Sequence, residues 1–66
     1  MSIWADMHWR TEADREAHPG FELPAGAHFD ALPRVGESLE FADGRTLTVH
    51  HVSWRVDIGR PTLRLR

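Results

Sequence analysis

Two short alternating runs on either side of Asp43-Gly44 constrain this chain more than any other feature. Leu39 and Phe41 alternate with Ser38 and Glu40, and Leu47 and Val49 alternate with Thr46 and Thr48. Period-two alternation marks a half-buried strand, and Asp-Gly between two such runs is a strong hairpin signal. A two-residue loop at Asp43-Gly44 would set Leu39 opposite Thr48 and join an apolar face to a polar one. A three-residue loop, Ala42-Asp43-Gly44, sets Leu39 opposite Leu47 instead. That loop needs a left-handed residue at its end, which Gly44 supplies without steric cost. The three-residue loop is the expected turn.

The next strand, Arg45 to Asp57, changes phase midway: Leu47 and Val49 hold one parity, while Val52, Trp54 and Val56 hold the other. A one-residue slip moves every side chain to the wrong face. A bulge near His50-His51 is therefore predicted, and it would bend the strand. Bends of this kind let a small sheet curl toward a barrel. Thr62 to Arg66 alternates again, with Leu63 and Leu65 inward. Pairing Val56 with Leu63 and Trp54 with Leu65 leaves Ile58-Gly59-Arg60-Pro61 as a four-residue turn. Pro61 costs no ladder hydrogen bond there if it faces outward. The same register sets Arg55 opposite Arg64, and Ser53 opposite Arg66, on the outward face.

The N-terminal half carries weaker signals. Ile3, Ala5, Met7 and Trp9 alternate with Trp4, Asp6, His8 and Arg10, which predicts a first strand. Two readings of Thr11 to Ala27 stay open. Thr11 can cap a short helix with acids in its first turn, stopped by Pro19-Gly20. Alternatively the segment is a polar excursion between strands, since Ala13 and Ala17 alone bury too little to anchor a helix. Phe21-Glu22-Leu23 is either a short strand or an anchor ahead of Pro24-Ala25-Gly26.

The run Leu32-Pro33-Arg34-Val35-Gly36-Glu37, followed by Asp43-Gly44 and by Val49, Val52 and Trp54, resembles a pattern in many small bacterial proteins of uncharacterised function. In those, LPRVGE, a DG hairpin and a V-x-x-V-x-W-like strand follow one another. The resemblance covers about half the chain and implies an SH3-like small barrel or a strongly curved antiparallel sheet. It carries over no activity and no catalytic residues. The expected fold is thus mainly β: a small antiparallel curved sheet or SH3-like barrel of four to five strands. At most one short helix is expected, at about residues 12–18.

Sixty-six residues make one domain, 1–66, with a marginal core. With no cysteine, no disulfide can staple it. No apolar run reaches membrane-spanning length, and no charged-then-apolar leader pattern opens the chain, so a cytoplasmic protein is expected. Lys, Asn, Gln, Tyr and Cys are all absent, and all eight basic residues are Arg. That bias points to a GC-rich coding sequence, bacterial or phage.

Chemical motifs are lacking. Five histidines invite a metal reading, with Asp6 and His8 on one strand face and His50 or His51 on a neighbour. No spacing matches a zinc motif and no thiolate is present, so neither metal nor cofactor is expected. Ser2, Ser38 and Ser53 lie outside any nucleophile context, and Glu37, Glu40 and Asp43 read as a solvated acidic hairpin. So small a chain has little room for a water-excluding pocket, and no enzyme activity is expected.

Charge and tryptophan supply the binding hypotheses. Residues 1–44 carry three Arg and nine acids, a net of −6, and residues 45–66 carry five Arg and one acid, a net of +4. Facing arginines are destabilising, so Asp57, Asp6 or a bound anion should offset Arg55 and Arg64. Intramolecular pairing is the favoured offset. Anion or nucleic-acid binding through Arg55, Arg64 and Arg66 is the alternative, opposed by the net charge of −2. Trp9 and Trp54 have inward parity and read as core. Trp4 has outward parity and is either a protein-binding contact or a lid folded over the barrel's open end. The first expectation is a non-enzymatic module that binds another protein or self-associates, pairing through the edge of the first strand or of Thr62–Arg66. A small phage or mobile-element inhibitor of a host machine also fits the size, although no residue points to it.

Overall fold

The long strand runs from Thr46 to Arg55 (β4), and its phase change is a bulge. Pairing steps from Val49–Leu65 to His51–Arg64, with His50 left over. The extra residue keeps Leu47, Val49 and Val52 on one side of the sheet. A computed structural model describes all residues from Met1 to Arg66. The remaining elements are Ile3–Trp9 (β1), Glu12–Glu16 (α1), Gly26–Phe29 (β2), Ser38–Glu40 (β3) and Arg60–Leu65 (β5). They form one sheet in the order β2-β1-β5-β4-β3, curled into a half-barrel. Every neighbouring pair is antiparallel except β1 and β5, which run parallel.

The first hairpin has the three-residue loop. Leu39 faces Leu47, the Phe41 N–H donates to the Arg45 carbonyl at 2.8 Å, and Gly44 takes φ +90°. The second hairpin departs from expectation. Leu63 faces Val52 rather than Val56, Trp54 faces Pro61 rather than Leu65, and Arg55 faces Arg60 rather than Arg64. Ser53 faces Thr62 rather than Arg66. The turn is therefore Val56-Asp57-Ile58-Gly59, closed by Gly59 at φ +65° and by its N–H donating to the Arg55 carbonyl at 2.7 Å. Pro61 is buried rather than outward, and its missing N–H falls one residue before the β1 pairing shown at Asp6–Thr62. Both registers have the same parity, so the pattern of faces is right while the strand has slid.

Ala5, Met7, Leu47, Val49, Leu63 and Leu65 form the buried core on the concave side. β1 and β5 are interior strands; the sheet edges are β2 and β3, not the first strand or Thr62–Arg66 as expected. Thr11 caps α1, accepting from the Asp14 N–H at 3.2 Å, and Arg10 grips the Asp14 carboxylate at 2.7 and 2.9 Å. The helix buries nothing. Phe21 holds the excursion in place instead. Its ring meets Trp9 and Phe41 edge to face at 6.1 and 5.4 Å, under the Arg45 guanidinium at 4.9 Å. Phe21-Glu22-Leu23 is thus an anchor and not a strand.

β2 pairs with β1 and begins at Gly26, which is packed against the Trp4 ring. A Cβ there would stand 2.5 Å from the Ala5 carbonyl oxygen and 2.6 Å from the Trp4 ring. The carbonyl cannot retreat without opening the β1–β2 ladder. Gly26→Ala is expected to lower stability by about 1–3 kcal/mol, as overpacking does, and to raise exchange at the β2 amides first. Urea unfolding with amide exchange checks this; an unchanged midpoint would count against the tight approach.

Candidate functional site

The outward positions of β1, β5 and β4 build one polar surface. Its end near the second hairpin is electrostatically closed. Asp6 accepts from Trp4 Nε1 at 2.9 Å through one carboxylate oxygen and from Arg60 Nε at 2.9 Å through the other. Arg55 meets both oxygens of Asp57 at 3.2 and 3.0 Å. Arg55 and Arg60 face each other across the hairpin, so each like-charged neighbour has its own carboxylate. These are the two acids expected to do this, although the arginine opposite Arg55 is a different one. The Trp4 hydrogen bond, then that of Arg60, holds the Asp6 carboxyl below its ordinary range against a smaller opposing effect of burial. Arg55 does the same to Asp57, and Asp57 in turn keeps Arg55 more firmly protonated.

Trp4 is outward and 36 % exposed. It does not fold over an open end: its ring covers Gly26, meets His28 edge to face at 5.1 Å and is tied down by Asp6. Little of it is free to reorganise around a partner.

The other end of the surface is open. Arg64 stands in register between His8 on β1 and His51 on β4, with Arg66 two residues further along β5. Arg10, Arg15, Arg45, Arg55 and Arg60 each have a carboxylate within ion-pair distance, whereas Arg64, Arg66 and Arg34 have none. Of the three arginines expected to bind together, Arg64 and Arg66 share this end, and Arg55 is occupied elsewhere. The other histidines are dispersed, His18 stacked on Trp9 and His28 against Trp4. No group of three His, Asp or Glu side chains converges to hold a metal ion.

Met1 and Val35 are exposed elsewhere, and three exposed apolar residues lie close in sequence at the hairpin tip. Trp54 is 57 % exposed, Val56 92 % and Ile58 47 %. Trp54, expected in the core, has the inward parity and faces Pro61, which is itself buried, yet more than half of the Trp54 side chain stays open to solvent. Alternate residues 54, 56 and 58 thus present apolar groups, while Arg55 and Asp57 between them pair with each other.

The chain matches no protein-family model, no curated protein and no solved structure.

Because the Asp6 carboxyl is depressed, its contribution to stability is complete above about pH 4 and is lost as pH falls through its native value. A carboxyl-carbon titration by NMR should place its midpoint below 3.8. Arg60→Ala and Trp4→Phe should each raise that midpoint. A midpoint indifferent to both would show that the bracket is not formed in solution.

Proposed function

We propose that this protein is a cytoplasmic, non-enzymatic interaction module that docks on another protein through the tip of its β4–β5 hairpin. The observation that carries the reading is the exposure of Trp54, Val56 and Ile58 at the hairpin tip. Large exposed apolar groups gathered in one place mark interaction sites, whereas singly scattered ones are ordinary. A tryptophan with neighbouring arginine is also the composition that dominates binding energy at protein interfaces. The Arg55–Asp57 and Arg60–Asp6 pairs supply the polar rim. Trp4, fixed 36 % exposed on the adjoining face, extends the surface as a preformed contact. No helix is long and apolar enough to cross a membrane.

Trp54→Ala should change stability by less than about 1 kcal/mol, as expected for a site that is mostly exposed, while abolishing partner capture. A photoreactive residue at Val56, expressed in the producing cell, should give one dominant adduct. The same group at Glu16 on the helix should give none. Equal labelling at both positions, or capture that survives Trp54→Ala, would refute the docking site.

A second reading, anion or nucleic-acid binding, is favoured by Arg64 and Arg66 having no internal carboxylate. Two phosphate contacts to a single strand predict a log–log salt slope of roughly −1.4, falling to roughly −0.7 in Arg64→Ala. Fluorescence anisotropy with a labelled oligonucleotide at low salt tests it, and absence of binding there removes this reading.

A further inference from the structure

The two free edges of the sheet border the same opening. A cleft of about 380 Å³ is lined from one side by Gly26, Ala27 and Phe29 of β2 and from the other by Ser38, Leu39 and Glu40 of β3. The Met7 N–H donates to the Ala25 carbonyl at 2.9 Å. Alternation along an antiparallel ladder then turns Ala27 and Phe29 toward β1 and leaves the N–H and C=O groups of Gly26 and His28 facing out. On β3 the Phe41 N–H donates to Arg45 at 2.8 Å, and the Val49 N–H donates to Glu37 at 2.9 Å. By the same rule Leu39 faces β4, and the N–H and C=O groups of Ser38 and Glu40 are free. Each edge therefore offers two residues' worth of unpaired backbone. Such edges invite another strand, and full closure is the arrangement that removes them.

Strand polarity says which occupant fits. Taking β1 as up, β2 is down, β5 up, β4 down and β3 up. A single foreign strand laid between β2 and β3 would run antiparallel to one and parallel to the other, as β5 does between β4 and β1. A second copy related by a two-fold axis along the half-barrel has the slightly more stable antiparallel pairing at every new joint. It sets its β2 beside β3, and its β3 beside β2, with antiparallel polarity at both joints. The side chains agree with that pairing. Ala27 and Phe29 on the concave side of β2 would meet Leu39 and Phe41 of β3, while His28 outside would meet Ser38 and Glu40, hydrogen-bonding partners for an imidazole. The need for it is visible in the core: six hydrophobic residues are buried, while nine more that pack on them are only partly buried. A second concave face supplies the missing cover.

We propose that two copies of this chain close each other's half-barrel into one ring of strands, β2 of each pairing with β3 of the other. The β2 and β3 edges include none of Trp54, Val56 and Ile58, so either proposal can fail alone.

Sedimentation equilibrium from micromolar to millimolar concentration should give a mass of twice 7.6 kDa at the upper end. His28→Pro and Glu40→Pro each delete one free-edge N–H and leave the internal ladder intact, and proline is tolerated on edge strands. Since every joint uses one β2 and one β3, either substitution alone should return the mass to 7.6 kDa. Circular dichroism confirms that the variants fold. Amide exchange on the unaltered protein provides the measurement independent of variants. Gly26, His28, Ser38 and Glu40 amides should gain at least tenfold protection with rising concentration. A monomer at every concentration overturns the proposal. So does loss of the dimer in only one variant, which would mean β2–β2 or β3–β3 pairing, or its loss in Trp54→Asp with both edge variants still dimeric.

Discussion

The bulge at His50-His51 is the constraint on which the rest of the molecule depends. β4 is the longest strand and carries apolar residues of both parities; without the extra residue, half of them would face water. With it, Leu47 and Val49 on one side and Val52 on the other reach the same concave face and enclose Leu63 and Leu65. The local bend curls the sheet, so that β1, β5 and β4 share one core. Trp54 shares the concave face opposite buried Pro61, yet stays mostly open to solvent.

How much was legible before the structure follows from what side-chain alternation can and cannot encode. Alternation reports which face a residue takes, and the faces of β1, β3, β4 and β5 were readable from it. It cannot detect a slip by an even number of residues. The first hairpin escaped this ambiguity because its short loop allowed only one apolar match, with Gly44 at the left-handed end. The second did not, because two four-residue loops are compatible with the same faces. The usable signal there was Gly59: the loop that ends on it, as the first ends on Gly44, is the one that forms. A loop with Gly59 at its second position pairs Arg55 with Arg64 instead of Arg60.

β2 and the parallel β1–β5 pair were invisible for a different reason. Gly26-Ala27-His28-Phe29 follows a proline and has no alternation of strongly apolar residues, so locally it reads as turn. It is a strand through its ladder to β1, and Gly26 leaves the room that the Trp4 ring takes. Parallel pairing has no connecting turn to announce it, and Met7–Leu63 spans most of the chain. Both are decided by tertiary contacts. The candidate surface was partly legible in the same sense. That Trp4 faces outward, and that Asp6 and Asp57 neutralise facing arginines, could be read from parity and charge. The flanking of Arg64 by His8 and His51 required the inter-strand register.

The distribution of charge bears on which face can recruit a partner. Ion pairs at exposed positions contribute little stability, so the Asp6 and Asp57 bridges are better understood by what they remove. They neutralise the two arginines nearest Trp54, Val56 and Ile58 and hold their side chains in place. An apolar patch beside unpaired guanidinium groups would have to desolvate them on docking, a cost that often exceeds the Coulombic gain. Here the charges next to the patch arrive already paired, whereas Arg64 and Arg66, further along the outer surface, do not. If the hairpin tip docks as proposed, its partner surface would be neutral and apolar, and long-range attraction would fall to the far end of β5.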